Sequence, residues 1–316
     1  MEKHEMAGDF PLTNKIVLVT GGGSGISFEF VRLAHAKKAK ILIADLQLGE
    51  EARQLVESQK NVHFETCDVR RWKDLRGPID ISVRIWNDVP DVYIAGAGVF
   101  EPKWSNFWQD PEDETYDSIA INVNHPMKLT RIAIQALLSR NKKGVVCIIG
   151  SIAGLAGNYA VPLYCASKHA VTGFVRSMAP CEELEGVKIT AMCPWYDIYP
   201  TTKRDFGLIA TTDMLSSAVK TPLWTNQPDK MDQFNLDGAE TVTAAQVGEA
   251  IVSLVEDGQY KGGTVLEITA YGTRVIPEWN ISPTPTKLTG LVSQAEIDRN
   301  LAPIKASLNN QRTSLL

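Results

Sequence analysis

The segment Gly21-Gly22-Gly23-Ser24-Gly25 follows directly on an apolar, β-branched run, Ile16 to Thr20, and opens a stretch of helical spacing that reaches about Lys37. This placement constrains the fold more than any other feature of the chain. Glycines let a backbone turn tightly and approach a pyrophosphate, and the amides at the start of the following helix present partial positive charge to it. A glycine-rich turn alone is a weak sign. Here it lies between strand and helix, and an acidic residue, Asp45, closes the next strand-like run, Ile41 to Ala44, at the spacing such a site requires. That carboxylate can accept hydrogen bonds from both adenosine ribose hydroxyls and repels a 2′-phosphate, favouring NAD over NADP; the plainer reading is an ordinary loop acid.

The rest of the chain continues the alternation. Strand-like runs recur around Val62 to Thr66, Asp91 to Ala95, Val145 to Ile149, Lys188 to Met192 and Thr264 to Ile268, with a helical stretch from Ile119 to Leu138 among them. This pattern predicts an α/β, three-layer Rossmann fold, a doubly wound parallel sheet with right-handed crossovers. We expect residues 1–270 to form a single NAD-binding domain with an insertion at about 195–218. The stretch 271–316, with Pro277, Pro283, Pro285 and Pro303, reads as an irregular C-terminal arm. Asp68, after the third strand, is a candidate neighbour of the adenine or, alternatively, a helix N-cap before Trp72 to Leu75.

Chemistry is carried by Tyr164 and Lys168. Four residues apart on a helix, they project from one face, so the ammonium can sit near the phenol and favour phenolate. An unperturbed tyrosine titrates near about 10, so such a neighbour makes Tyr164 a base nearer neutral pH. Ser151 follows the apolar run Val145 to Ile149 and so stands at the C-terminal end of a strand, where ligands gather in open α/β sheets. A second pair with the same spacing, Tyr199 and Lys203, is an internal control. Tyr164 is followed by Cys165-Ala166-Ser167 and then by Ala170, Val171, Phe174, Val175 and Met178 at helical spacing, whereas Tyr199 is followed by Pro200 and a threonine pair. Context selects Tyr164.

A net charge of -5 without a basic stripe argues against nucleic acid or an anionic membrane as partner. No apolar run reaches the roughly 18 residues of a membrane span. The five cysteines include no Cys-x-x-Cys and read as reduced thiols in a cytoplasmic protein, so no metal is expected. Trp104, Phe107, Trp108, Trp195, Phe206 and Trp224 point to an apolar or aromatic substrate; alternatively half or more of them pack in the core or at a subunit interface.

Taken together, Thr20-Gly21-Gly22-Gly23-Ser24-Gly25-Ile26, Asp45, Asp68-Val69, Asn122, Ser151, Tyr164 and Lys168 resemble the short-chain dehydrogenase/reductase family over Thr13 to about Thr269. Val99-Phe100-Glu101, the Trp104 to Trp108 stretch, Thr221-Pro222-Leu223-Trp224 and the tail are similar to the fungal 15-hydroxyprostaglandin dehydrogenase-like group, which includes 5′-hydroxyaverantin dehydrogenases. The resemblance implies NAD-dependent interconversion of a secondary alcohol and a ketone, on a hydrophobic or polyketide-like metabolite, in a homodimer or homotetramer. It implies catalytic roles for Asn122, Ser151, Tyr164 and Lys168, with Asn122 positioning a water that links the lysine to solvent. Cofactor contacts are implied at Gly21, Gly23, Ser24, Gly25, Ile26, Asp45, Asp68, Val69, Gly96, Tyr164, Lys168 and Thr221.

Three departures stand out. Ser27 occupies the place of the last glycine of the fingerprint, which implies looser helix–strand packing. Gly96 replaces the asparagine that braces the central strands. Pro194-Trp195 stands where the family has Pro-Gly, followed by about twenty extra residues that read either as a longer substrate lid or as a translated intron. A non-redox cyclase or isomerase on the same fold, and a nucleotide-binding protein without turnover, are the rival functions.

Overall fold

The computed structural model describes residues 6–110, 112, 114–194, 221, 223, 242–269, 271–278 and 294–313. The insertion at about 195–218, the pair Tyr199 and Lys203, and Trp195, Phe206 and Trp224 lie outside the described residues. The strands are β1 (Ile16–Thr20), β2 (Lys40–Asp45), β3 (Val62–Thr66), β4 (Val92–Ala95), β5 (Gly144–Ile149), β6 (Val187–Pro194), β7 (Val265–Thr269) and β8 (Gly272–Val275). They form one sheet in the order β3-β2-β1-β4-β5-β6-β7-β8. The first seven run parallel and β8 is antiparallel to β7.

A parallel sheet needs crossovers that cover both its faces, so its strands are apolar on both sides. Here successive residues divide between two cores. Val17, Val19, Ile41, Ile43, Val92 and Ile94 face one cluster, with Phe28, Phe30 and Val31 of α1 (Gly25–Ala36) and Val247, Ile251 and Leu254 of α8 (Ala244–Glu256). Leu18, Leu42, Tyr93, Val146 and Ile148 face the other. That layer holds Leu75 of α3 (Trp72–Trp86), Leu129, Ala133 and Leu137 of α5 (His125–Ser139), and Val171 and Val175 of α6 (Pro162–Ser177). The helices α2 (Glu50–Ser58), α4 (Asp117–Ile119) and α7 (Cys181–Glu185) complete the crossovers. The expected doubly wound, three-layer architecture is therefore observed, and every expected strand is present.

The stretch from 271 onwards corrects the expectation of an irregular arm. It begins with β8, which pairs Val275 with Leu266 and sets Arg274 against the buried Glu267 at 2.6 Å. It ends in α9 (Gln294–Thr313), a helix that contains Pro303. A proline inside a helix removes one backbone hydrogen bond. Tertiary contacts offset that loss: α9 packs on α5, Leu308 reaches the sheet-side core, and Arg312 pairs with the nearly buried Glu185 at 2.5 Å.

His125 opens α5 and is 1% exposed. Its Nδ1 lies 3.2 Å from the Ile121 carbonyl and its Nε2 2.9 Å from the Thr20 hydroxyl. A carbonyl only accepts, so Nδ1 carries the hydrogen and Nε2 accepts from the Thr20 hydroxyl, whose hydrogen it shares with the Ile94 carbonyl at 3.1 Å. Burial holds the imidazole neutral, pulling its pKa from 6.5 to about 4. Between those values the unfolded chain binds a proton that the folded chain refuses, so stability falls as pH drops through this window, by on the order of 3 kcal/mol in total. We expect His125→Gln to be less stable than wild type at pH 7 and to show a flatter decline between pH 6.5 and 4 in urea unfolding. Parallel declines would show that His125 does not carry this proton.

Candidate functional site

A cleft of about 860 Å³ runs along the carboxyl edge of the strands. At one end lies the glycine turn. Gly21 has φ +67, and a Cβ there would come within 2.5 Å of the Ala97 amide nitrogen, so only glycine fits. Gly25, also left-handed at φ +61, opens α1 toward the cleft. The Asp45 carboxylate accepts the Gly23 amide at 2.9 Å and its neighbour Leu46 at 2.7 Å. Burial pushes the Asp45 pKa above the ordinary carboxylate value, opposed by the amides of Gly23, Leu46 and Gln47. Gly23 does not line the cleft. Its N–H points back at Asp45 and helps to fix that carboxylate in place.

Asp68 and Val69 line the wall beyond Asp45. The N-cap position of α3 falls to Arg71, so Asp68 is not the cap. Instead Arg70 holds the Asp68 carboxylate through Nε at 3.0 Å and Nη2 at 2.8 Å, and reaches Asp117 of α4 through Nη1 at 2.5 Å. These Arg70 bonds keep the Asp68 pKa below the ordinary value.

Tyr164 and Lys168 meet at the other end. Both lie on the first turns of α6, both line the cleft, and they are 5% and 6% exposed. Lys168 Nζ stands 5.5 Å from the Tyr164 ring centroid and donates to the Ile149 carbonyl, the last of β5, at 2.8 Å. Burial lowers its pKa from 10.5 to about 8. At neutral pH the ammonium is therefore still mostly charged and can favour phenolate on its neighbour. Ser151, 1% exposed, caps the short 3₁₀ turn Ile152–Gly154 by accepting the Ala153 amide at 3.1 Å. Asn122 lies in a π-helical turn, Ala120–Asn124, of the kind that recurs at functional sites. Its side chain pairs with both the N–H and the carbonyl of Val99 at 2.9 Å and donates to the Ser167 hydroxyl at 3.3 Å.

Of the expected site residues, the cleft thus gathers Gly21, Ser24, Gly25, Ile26, Asp45, Asp68, Val69, Gly96, Tyr164, Lys168 and Thr221. Asn122, Ser151 and Gly23 are not among its lining residues. Two participants were not anticipated: Arg70, whose partner Asp117 is 47 positions away, and Glu101, described below. No spacing rule joins either to its partner. Trp104 lines the cleft while 51% exposed. Beyond it Phe107 and Trp108 stack edge to face at 5.0 Å, and Trp108 meets Tyr159 at 4.6 Å and donates Nε1–H to the Tyr159 carbonyl. These rings are exposed, so the alternative of core packing fails for the described ones.

Two of the departures explain one another. A Cβ built on Gly96 would overlap the Ser27 hydroxyl and approach the Thr20 carbonyl to 2.9 Å. Ser27 is 4% exposed, and its side chain fills the space that a side chain at position 96 would need. Packing at Ser27 is therefore not looser, as a missing glycine implied; the bulk has moved from one wall to the facing one. The brace lost at Gly96 is supplied by Thr20, whose hydroxyl receives the Gly96 amide at 3.2 Å.

A glycine turn that admits a pyrophosphate, a carboxylate at the end of the second strand and a tyrosine–lysine pair at the end of the fifth define a nucleotide-binding oxidoreductase on a Rossmann sheet. Residues 15–201 match the family model described as short chain dehydrogenase, and the chain belongs to the short-chain dehydrogenase/reductase family. It is 30% identical to short-chain dehydrogenase reductase 3a of Arabidopsis thaliana over 66% of this chain and 80% of that protein. To the 15-hydroxyprostaglandin dehydrogenase (NAD+) of Rattus norvegicus it is 25% identical over 87% of this chain and 98% of that one. A solved short-chain type dehydrogenase/reductase from Mycobacterium marinum shares the fold, with a TM-score of 0.66 at 18% identity over 82% of this chain and 96% of the other. The protein is thus an NAD(P)-dependent enzyme that interconverts alcohols and ketones at CH–OH groups. The left-handed turn at Gly21 and Gly25, which lines the cleft with side-chain-free backbone, fits such a dinucleotide.

If Ser27 and Gly96 are complementary, Gly96→Asn alone should destabilise the fold by about 1–3 kcal/mol, the usual cost of overpacking. Adding Ser27→Gly should recover more than half of that loss in urea unfolding. Strictly additive effects of the two substitutions would show that they do not share one space.

Proposed function

We propose that the enzyme uses NAD to oxidise, reversibly, the hydroxyl of an apolar secondary alcohol, with Tyr164 as the base. The carrying observation is Lys168 held between the Ile149 carbonyl and the Tyr164 ring, inside the same cleft that Asp45 borders. When bound, the dinucleotide supplies the hydride acceptor. Every other part falls to the chain. Tyr164 takes the hydroxyl proton. Lys168 favours the phenolate by its charge and has N–H bonds to offer the nicotinamide ribose. Ser151 Oγ accepts the Ala153 amide, which leaves its own hydrogen to donate to the substrate oxygen. Asn122 holds the loop after β4 and supports the path by which the proton leaves.

The substrate class follows from the rings. Trp104 on the cleft wall and the Phe107, Trp108 and Tyr159 group beside it offer apolar area and few charges, which suits a hydrophobic or polyketide-like body. Asp45 supports NAD over NADP, since a 2′-phosphate would face a partly buried carboxylate.

Stoichiometric NADH formation from 1-(2-naphthyl)ethanol tests the reaction class. In that assay Tyr164→Phe should lower turnover by roughly 10²- to 10⁴-fold with NADH affinity within a few-fold of wild type, while Tyr199→Phe stays within a few-fold. Equal loss in both variants would refute the choice of base. For the cofactor, the wild type should prefer NAD, and Asp45→Ser should shift kcat/KM toward NADP. A wild type that uses both equally would overturn the role given to Asp45.

A further inference from the structure

Glu101 is a carboxylate with no exposed surface, in the loop after β4 and next to the candidate base. Its Oε1 accepts the backbone N–H of Tyr164 at 2.7 Å. Tyr164 is the third residue of α6, whose N-cap Val161 offers no side-chain acceptor. The first amides of a helix need partners and favour an anion. A distant carboxylate therefore does here what a neighbouring serine or aspartate does in most helices, and it does so at the residue proposed to carry the chemistry.

The loop that presents Glu101 is held firmly. Glu101 adopts φ +34, a left-handed conformation rare outside glycine, and such strain persists only where the surroundings over-determine it. Two positions back, Val99 is gripped at both its N–H and its carbonyl by Asn122. Ahead, the Glu101 carbonyl accepts Asn106 Nδ2 at 3.0 Å. Between Val99 and Glu101, Phe100 is fully buried and meets the Tyr164 ring edge to face at 4.6 Å. The other side of Tyr164 is tied as well: its carbonyl accepts the Ser167 hydroxyl at 2.7 Å, and Ser167 in turn receives Asn122. The tyrosine is thus fixed at its amide, its carbonyl and its ring by one connected set of groups.

We propose that Glu101 is a positioning residue for the reaction, setting the direction of the Tyr164 side chain through the Tyr164 amide while Phe100 fixes the ring. The proposal rests on the reading of Tyr164 as the base. It adds that the acceptor at position 101, rather than its volume alone, determines how well the phenol meets the substrate hydroxyl. Misplacing a reacting group by about 1 Å can cost about 10²-fold in rate.

The test compares Glu101→Gln, which keeps an acceptor oxygen, with Glu101→Met, which keeps the volume without one. Both are made in the full chain and assayed for NAD-dependent oxidation of 1-(2-naphthyl)ethanol and for NADH binding by fluorescence. Glu101→Met should lower kcat by roughly 10- to 100-fold with the NADH Kd within about twofold of wild type, and Glu101→Gln should restore kcat to within about threefold. Should Glu101→Met not fold, Glu101→Ser, too short to reach the amide, reads the same split. The proposal is overturned if the variant lacking the acceptor keeps wild-type kcat. It is equally overturned if that variant loses turnover and NADH binding by one factor, or if Glu101→Gln falls as far. An active Tyr164→Phe enzyme would instead refute the assignment of the base, a separate outcome.

Discussion

A charged ammonium inside a protein is costly unless something polar receives it. Lys168 meets that cost at the carbonyl that ends β5, and much of the site follows from this single bond. To bring Nζ to Ile149, α6 must lie close against the edge of the sheet. The turn after β5 accordingly passes so near the helix that a Cβ on Gly154 would approach the Lys168 carbonyl to 2.5 Å. The neighbour from β6 is Cys193, whose thiol burial pushes up to about 12, so it is neutral and does not neutralise the lysine. The positive charge is left to act on the phenol beside it.

Much of this was legible in the chain. Strands buried on both faces are written as unbroken apolar runs, which is why Ile16 to Thr20 agrees with the observed limits; Val62 to Thr66, on the sheet edge, instead interleaves His63 and Glu65 with Val62 and Phe64. The glycine turn and Asp45 were legible because a fixed spacing links them, and Tyr164 because small residues and a helical apolar series follow it. What stayed hidden depends on pairings with no fixed separation. Arg70 reads as an ordinary surface cation until Asp117 is seen beside it, and Glu101 as a loop acid until α6 is placed. The helix α9 was obscured by its proline, since local propensity counts the lost hydrogen bond and not the contact between Arg312 and Glu185.

Ser27 and Gly96 carry a different lesson. Each, measured against the family pattern, looks like a defect: a glycine lost on one side and a bracing side chain lost on the other. Side by side in the fold they share one volume, and the bulk missing at one position is present at the other. Thr20, at the end of β1, then serves both neighbours, receiving the Gly96 amide and meeting His125 at the start of α5.

The wall of the cleft is made of unlike materials. Around Asp68 the wall is a chain of opposite charges through Arg70 to Asp117, with the guanidinium side chain 39% exposed. Around Trp104 it is aromatic carbon. Mobile ions weaken the first kind of contact, since the screening length is only about 8 Å at physiological salt, and leave the second almost untouched. Ionic strength therefore acts on the charged part of this wall and solvent polarity on the aromatic part.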